Sequence, residues 1–122
     1  MGDAELLTKF QELAIDHYRA SEAGDNEIAN LCIEEIGKVI YRLWQENGGR
    51  KEALKGVAEL SNSENPAVAI KAITYSLELY PEVADQLQKL EKCKSIIGIW
   101  AEYTMRRWKK GQQKILKEML GI

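Results

Sequence analysis

Nucleophilic and metal chemistry are built most often from histidine and cysteine, and this chain holds one histidine, His17, and two cysteines, Cys32 and Cys93. A zinc site wants close ligand pairs, about two to five residues apart, and these three residues offer none. His17 closes the apolar face of a first helical stretch, where an imidazole reads as hydrogen-bonded and partly buried. No nucleophile-elbow motif surrounds a serine, and Gly48-Gly49 lacks the GK[ST] ending of a phosphate loop. Glu34 and Glu35 are adjacent, so on a helix their carboxylates point about 100° apart and form no catalytic dyad. The expectation is a protein with no catalytic set, no cofactor and no metal.

Charge is the second place to look. Net charge is −2, yet residues 1–35 hold nine acids against two bases, and residues 92–122 hold eight bases against two acids. This polarity bears on encounter partners and not on fold. The densest cluster is Arg106-Arg107-Trp108-Lys109-Lys110. Arg106, Arg107, Lys109 and Lys110 could hold phosphates, with an aromatic for stacking. However, Trp108 continues the stripe Ile97, Ala101 and Met105, which assigns it to the core. The cations then sit at a helix C-terminus, where they favour the dipole. A sequence pI near 5.5 also argues against a dedicated nucleic-acid protein.

The elements that must position these residues are helical. At 45% hydrophobic and 30% charged, the chain has the composition of a globular domain and not of a disordered one. Apolar residues recur at helical spacing throughout. Leu6, Phe10, Leu13, Ala14 and His17 line a first helix, which Gly24 stops; Asp25 can cap the next. Ile28, Leu31, Cys32, Ile36, Val39, Ile40 and Leu43 make a broad second stripe, ended by Asn47-Gly48-Gly49. A third helix carries Ala53, Leu54, Val57 and Leu60. Asn65-Pro66 opens a fourth through Ala69, Ala72, Ile73, Ser76, Leu77 and Tyr80, since asparagine caps and proline fits the first helical position. Pro81 restarts the chain into Val83, Ala84, Leu87 and Leu90. A sixth helix runs from Ile97 to Trp108, and after Gly111 the residues Ile115, Leu116, Met119 and Leu120 form an amphipathic tail. Gly37, Gly56 and Gly98 fall inside helical periods, where glycine either costs stability or allows close approach.

From residue 50 onward short and long helices alternate, and the stripes beginning at Ala69 and Ile97 match in phase at an offset of 28 residues. Such pairs bury their faces by stacking. Leu60, Asn65-Pro66, Val68, Ala69, Ala72 and Leu77 resemble a HEAT repeat, although the arginine that often follows the valine is absent. Gly48-Gly49, Asn65-Pro66, Pro81-Glu82 with Ala84, and the closing Ala101, Trp108 and Gly111 resemble a HEAT-like family of small bacterial proteins of unknown function, over roughly residues 5–111. The resemblance implies an all-α α-α superhelix: a single domain over 1–122, about six helices in three antiparallel pairs (3–47, 50–80, 81–110), and a helical tail over 112–122.

Within such a solenoid the second helices line one surface. Tyr41, Tyr75 and Tyr103 each fall about 140–180° from the apolar centre of a second helix, and tyrosine off the core is a common contact anchor. The leading expectation is therefore a non-catalytic protein-binding domain. Glu34 and Glu35 steer a basic partner, and Tyr41, Tyr75 and Tyr103 hold it. By analogy with the class, this suits an immunity protein that neutralises a bacterial toxin. The alternatives are a nucleic-acid-associated protein using Arg106, Arg107, Lys109 and Lys110, and a structural interaction module or homodimer. No basic and apolar leader opens the sequence, no apolar run approaches the roughly 20 residues that span a bilayer, and the cysteine usage fits a reducing compartment, which together predict a cytoplasmic protein.

Overall fold

A computed structural model describes residues 2–122, and Met1 lies outside them. The described chain is all-α: 76% helix in seven α-helices, with no strand. It divides into two compact units, Met1–Gly56 and Val57–Ile122.

The first unit is a helical hairpin. α1 (Asp3–Glu22) and α2 (Asn26–Glu46) are joined by a three-residue turn. Gly24 takes the left-handed conformation there, φ 72°, which costs glycine nothing. The amide of Gly24 bonds the Ser21 carbonyl and that of Asp25 bonds the Ala20 carbonyl, closing α1 with a Schellman pattern. Asp25 then caps α2, its Oδ1 accepting from the Ile28 amide at 3.1 Å. Asn47, just past α2, donates from Nδ2 to Asp3 Oδ1 at 3.1 Å, so the end of α2 meets the start of α1 and the pair is antiparallel. Leu6, Phe10, Leu13 and Ala14 of α1 are buried, as are Cys32, Ile36, Val39, Ile40 and Leu43 of α2. Ile28 and Leu31 are not. They remain 46% and 50% exposed, because the buried face of α2 is narrower than the stripe in the sequence and leaves them on its flank.

Short elements make up the second unit. The third helix of the sequence reading is in fact a 3₁₀ turn (Lys51–Leu54), α3 (Lys55–Glu59) and another 3₁₀ turn (Leu60–Asn62), with α3 spanning the division between units. α4 (Pro66–Thr74) starts where expected, Asn65 Oδ1 accepting from the Ala67 amide at 3.0 Å. It ends earlier than its stripe. Past Thr74 the chain continues only in hydrogen-bonded turns, Ser76 Oγ donates back to the Ala72 carbonyl at 2.6 Å, and Pro81 biases Tyr80 away from helical backbone. Pro81–Gln86 is 3₁₀ and leads into the single turn of α5 (Leu87–Leu90). α6 (Ile96–Lys109) is capped by Ser95 Oγ, which accepts from the Ile97 amide at 3.2 Å. α7 (Ile115–Leu120) has no side-chain cap from its own N-cap residue, Lys114. Instead Glu78 reaches it from the turn after α4, accepting from the amides of Leu116 at 2.7 Å and Lys117 at 3.2 Å.

α4 is the centre of this unit. Every residue from Ala67 to Ile73 is buried, so the helix presents no solvated face. One of those residues is Lys71.

Candidate functional site

The surface expected to bind a partner divides when its residues are placed. Glu34, Glu35 and Tyr41 are exposed on α2. At about 100° per residue, Leu31, Glu34, Glu35, Lys38 and Tyr41 share roughly a third of the helix circumference. Glu35 is engaged, with Lys38 Nζ 3.0 Å from its Oε1, while Glu34 forms no ion pair among the described residues. The Tyr41 hydroxyl accepts from Gln45 Nε2 at 2.8 Å, which orients the ring along the helix. This outer face therefore combines a carboxylate, a tyrosine and an exposed leucine.

Tyr103 is also exposed, on α6, at 55%. Tyr75 is not: only 4% of it is accessible. The helical projection that set it opposite the core fails because α4 ends at Thr74 and Tyr75 already belongs to the turn. Burial pushes its phenol up to about 12. Tyr75 and Tyr103 thus do not share an exposed surface, and Tyr75→Ala should act on folding, contrary to the expectation that Tyr75 lies off the core as a contact anchor.

Two of the four cations at the end of α6 are committed. Arg106 Nη2 lies 3.2 Å from Glu102 Oε1, one helical turn back. Arg107 donates from Nη1 to the Tyr103 hydroxyl at 3.3 Å and from Nη2 to the Gln112 carbonyl at 2.7 Å. Lys109 and Lys110 remain exposed. Trp108 is half-buried, short of the full core position expected of it.

The second unit also holds a cavity of about 220 Å³, lined by Ile70, Lys71 and Thr74 of α4, Trp100, Tyr103, Thr104 and Arg107 of α6, and Gln113 and Ile115 beyond. Lys71 is only 7% exposed. Its Nζ stands 4.2 Å from the centroid of the Trp100 ring, a cation–π contact. No carboxylate lines the cavity, and neither cation on its wall forms an ion pair among the described residues. Burial alone pulls the Lys71 ammonium down from the usual lysine range to about 8. The sequence does carry a signal for this residue: Lys71 is the one charge in the apolar run Ala67–Ile73. Its pairing with Trp100, 29 positions away, is not readable from spacing.

His17 is half-buried. Cys32 is a buried free thiol, raised by burial and then by the nearby Asp16 carboxylate, and so unreactive near neutral pH. No group of three or more His, Cys, Asp or Glu side chains is placed to hold a metal ion among the described residues. No described helix is long and apolar enough to cross a membrane. Comparison of the chain with protein-family models, curated proteins and solved structures gives no match.

Proposed function

We propose that this protein is a non-catalytic protein-binding domain whose helix pairs stack as a short HEAT-like solenoid, and that it binds a basic partner through the outer face of α2. The observation that carries the reading is the exposure of Leu31 and Tyr41, at 50% and 44%, beside the exposed carboxylate of Glu34. Exposed apolar and aromatic groups among charges have the makeup of a contact surface, with the aromatic as anchor. Over residues 1–56 eleven acids face seven bases, so the surrounding field attracts a basic protein. A bacterial toxin neutralised in the cytoplasm is the partner class that suits this charge, which makes the protein an immunity protein in role.

The test is capture from the native cytosol followed by kinetics with the purified partner. Leu31→Ala and Tyr41→Ala should weaken binding by about 1 kcal/mol or more each while leaving the melting curve nearly unchanged, because both side chains are exposed. Reversing Glu34 and Glu35 to lysine should slow association, and that loss should shrink at high salt. Equal affinity for the wild type and both alanine variants would remove α2 from the interface. Submicromolar binding to duplex DNA with a steep salt dependence, lost on replacing Lys109 and Lys110, would favour the nucleic-acid reading instead.

A further inference from the structure

The cavity between α4 and α6 makes no part of the α2 surface and needs its own account. A buried lysine without a carboxylate partner is costly, and the ordinary remedy is a counter-charge. Here two cations, Lys71 and Arg107, line one small cavity that contains no acid. Arg107 is held in place by the Tyr103 hydroxyl and the Gln112 carbonyl, with its guanidinium carbon 5.7 Å from the Tyr103 ring centroid. Its Nε is buried with no hydrogen-bond acceptor. Two cations and no acid around one cavity are the makeup of an anion site.

The other polar groups narrow the set of donors. Thr74 and Thr104 line the cavity, yet each hydroxyl already donates to the carbonyl four residues back, to Ile70 and Trp100, both at 2.8 Å. The Gln113 amide points its Nε2 at the Thr74 carbonyl, 3.5 Å away. The donors left for a ligand are the three N–H of the Lys71 ammonium and the Nη N–H groups of Arg107 that Tyr103 and Gln112 do not use. Donor number does not separate a phosphate from a carboxylate here; the wall does. The rest of the wall is Ile70, Ile115 and the Trp100 ring, which suits a hydrocarbon body and not a bare hydrated ion.

We propose that the cavity binds a small organic carboxylate, its charge held by Lys71 and Arg107 and its apolar body packed against Trp100, Ile70 and Ile115. Such a ligand supplies a counter-charge to both cations and accepts from the Lys71 ammonium and the remaining Nη N–H groups of Arg107. The low ammonium pKa of Lys71 then rises toward the ordinary lysine value in the complex, so binding takes up a proton above about pH 8.

The experiment uses the full chain at pH 7 with benzoate and hexanoate as probes, read by calorimetry and by tryptophan fluorescence. Benzamide and inorganic phosphate serve as the neutral and the tetrahedral comparison. Saturable binding of a carboxylate, with neither comparison competing, is the expected result. Lys71→Met should weaken it by roughly tenfold or more, as expected for loss of a charged hydrogen bond, and Arg107→Gln should weaken it less. In the wild type, benzoate should also slow acetylation of Lys71, mapped by mass spectrometry, while leaving Lys109 unprotected. This last measurement stands even if a variant fails to fold. The proposal is overturned if neither carboxylate saturates, if phosphate binds as well as benzoate, if Lys71→Met binds as tightly as the wild type, or if Lys71 is not protected.

Discussion

The two halves of this chain solve the same problem with different means. Residues 1–56 use two helices of 20 and 21 residues, and their buried positions follow the helical period with a solvated face opposite. Residues 57–122 use one 14-residue helix, α6, with shorter helices and 3₁₀ turns, bury α4 on all sides, and stitch distant segments with polar contacts such as Glu78 to the start of α7. A long amphipathic hairpin tolerates change on its outer face, because half of each helix touches only water. In the second unit α4 has no such reserve: Ala67–Ile73 are buried all round, and a side chain placed there has no solvated alternative. The comparison predicts that equivalent substitutions will be mild in the first unit and severe in the second. It also separates the two candidate sites, an exposed surface on α2 and a partly open pocket beside α4.

Glycine inside a helix gives the largest test. A Cβ on Gly98 would lie 2.1 Å from the Cys93 carbonyl oxygen, a backbone atom that cannot swing aside. Gly98→Ala should cost about 3 kcal/mol or more in urea unfolding, through forced displacement of the start of α6. A wild-type midpoint for this variant would mean that α6 is not seated against the Cys93 turn.

Next in size is Lys71→Met. With the folded ammonium near pH 8 and a reference of 10.5, the charged lysine opposes folding by on the order of 3 kcal/mol below pH 8. Loss of the contact with Trp100 offsets about 1 kcal/mol of the gain from removing it. The variant should therefore be about 1–2 kcal/mol more stable at pH 7. Between pH 8 and 10.5 the unfolded chain binds the proton more readily than the folded one, so wild-type stability rises toward that of the variant. Tyr75 works in the other direction at higher pH: its stabilising contribution is present below pH 10 and fades as pH climbs toward 12. Melting curves of both proteins across this range check both signs. A constant gap between them would show that Lys71 is not buried as a charge.

Asn65→Ala removes the acceptor for the Ala67 amide and should cost about 1 kcal/mol, lowering the melting temperature by roughly 4–8 °C. The smallest effect belongs to the hairpin. Gly37 lies within α2 with nothing within 4 Å of an added Cβ. Gly37→Ala should raise stability by about 0.5–1 kcal/mol. If it destabilises instead, the contrast between the units is wrong on its tolerant side.

Local chemistry made much of this protein legible from its sequence. The helix starts at Asn26 and Pro66 follow from Asp25 and Asn65, because a cap needs only a short polar side chain and the amides two or three residues ahead. The turn at Gly24 follows from one residue's freedom at positive φ. The core of the hairpin follows from period alone, except at Ile28 and Leu31, where the partner helix was too narrow to cover the stripe. Tertiary structure decided the rest. Gly37 and Gly98 look alike in the sequence, and only the approach of the Cys93 carbonyl makes one open and the other obligatory. Tyr41 and Tyr75 occupy matching phases, but α4 ends one residue before Tyr75 and the turn folds it inward. Lys71 announces itself as a charge in an apolar run, yet its meaning depends on Trp100 and Arg107, which a different helix brings to it. Caps and turns are set by neighbours in the chain, whereas exposure, close approach and electrostatic partnership are set by residues far along it, and no local pattern encodes those.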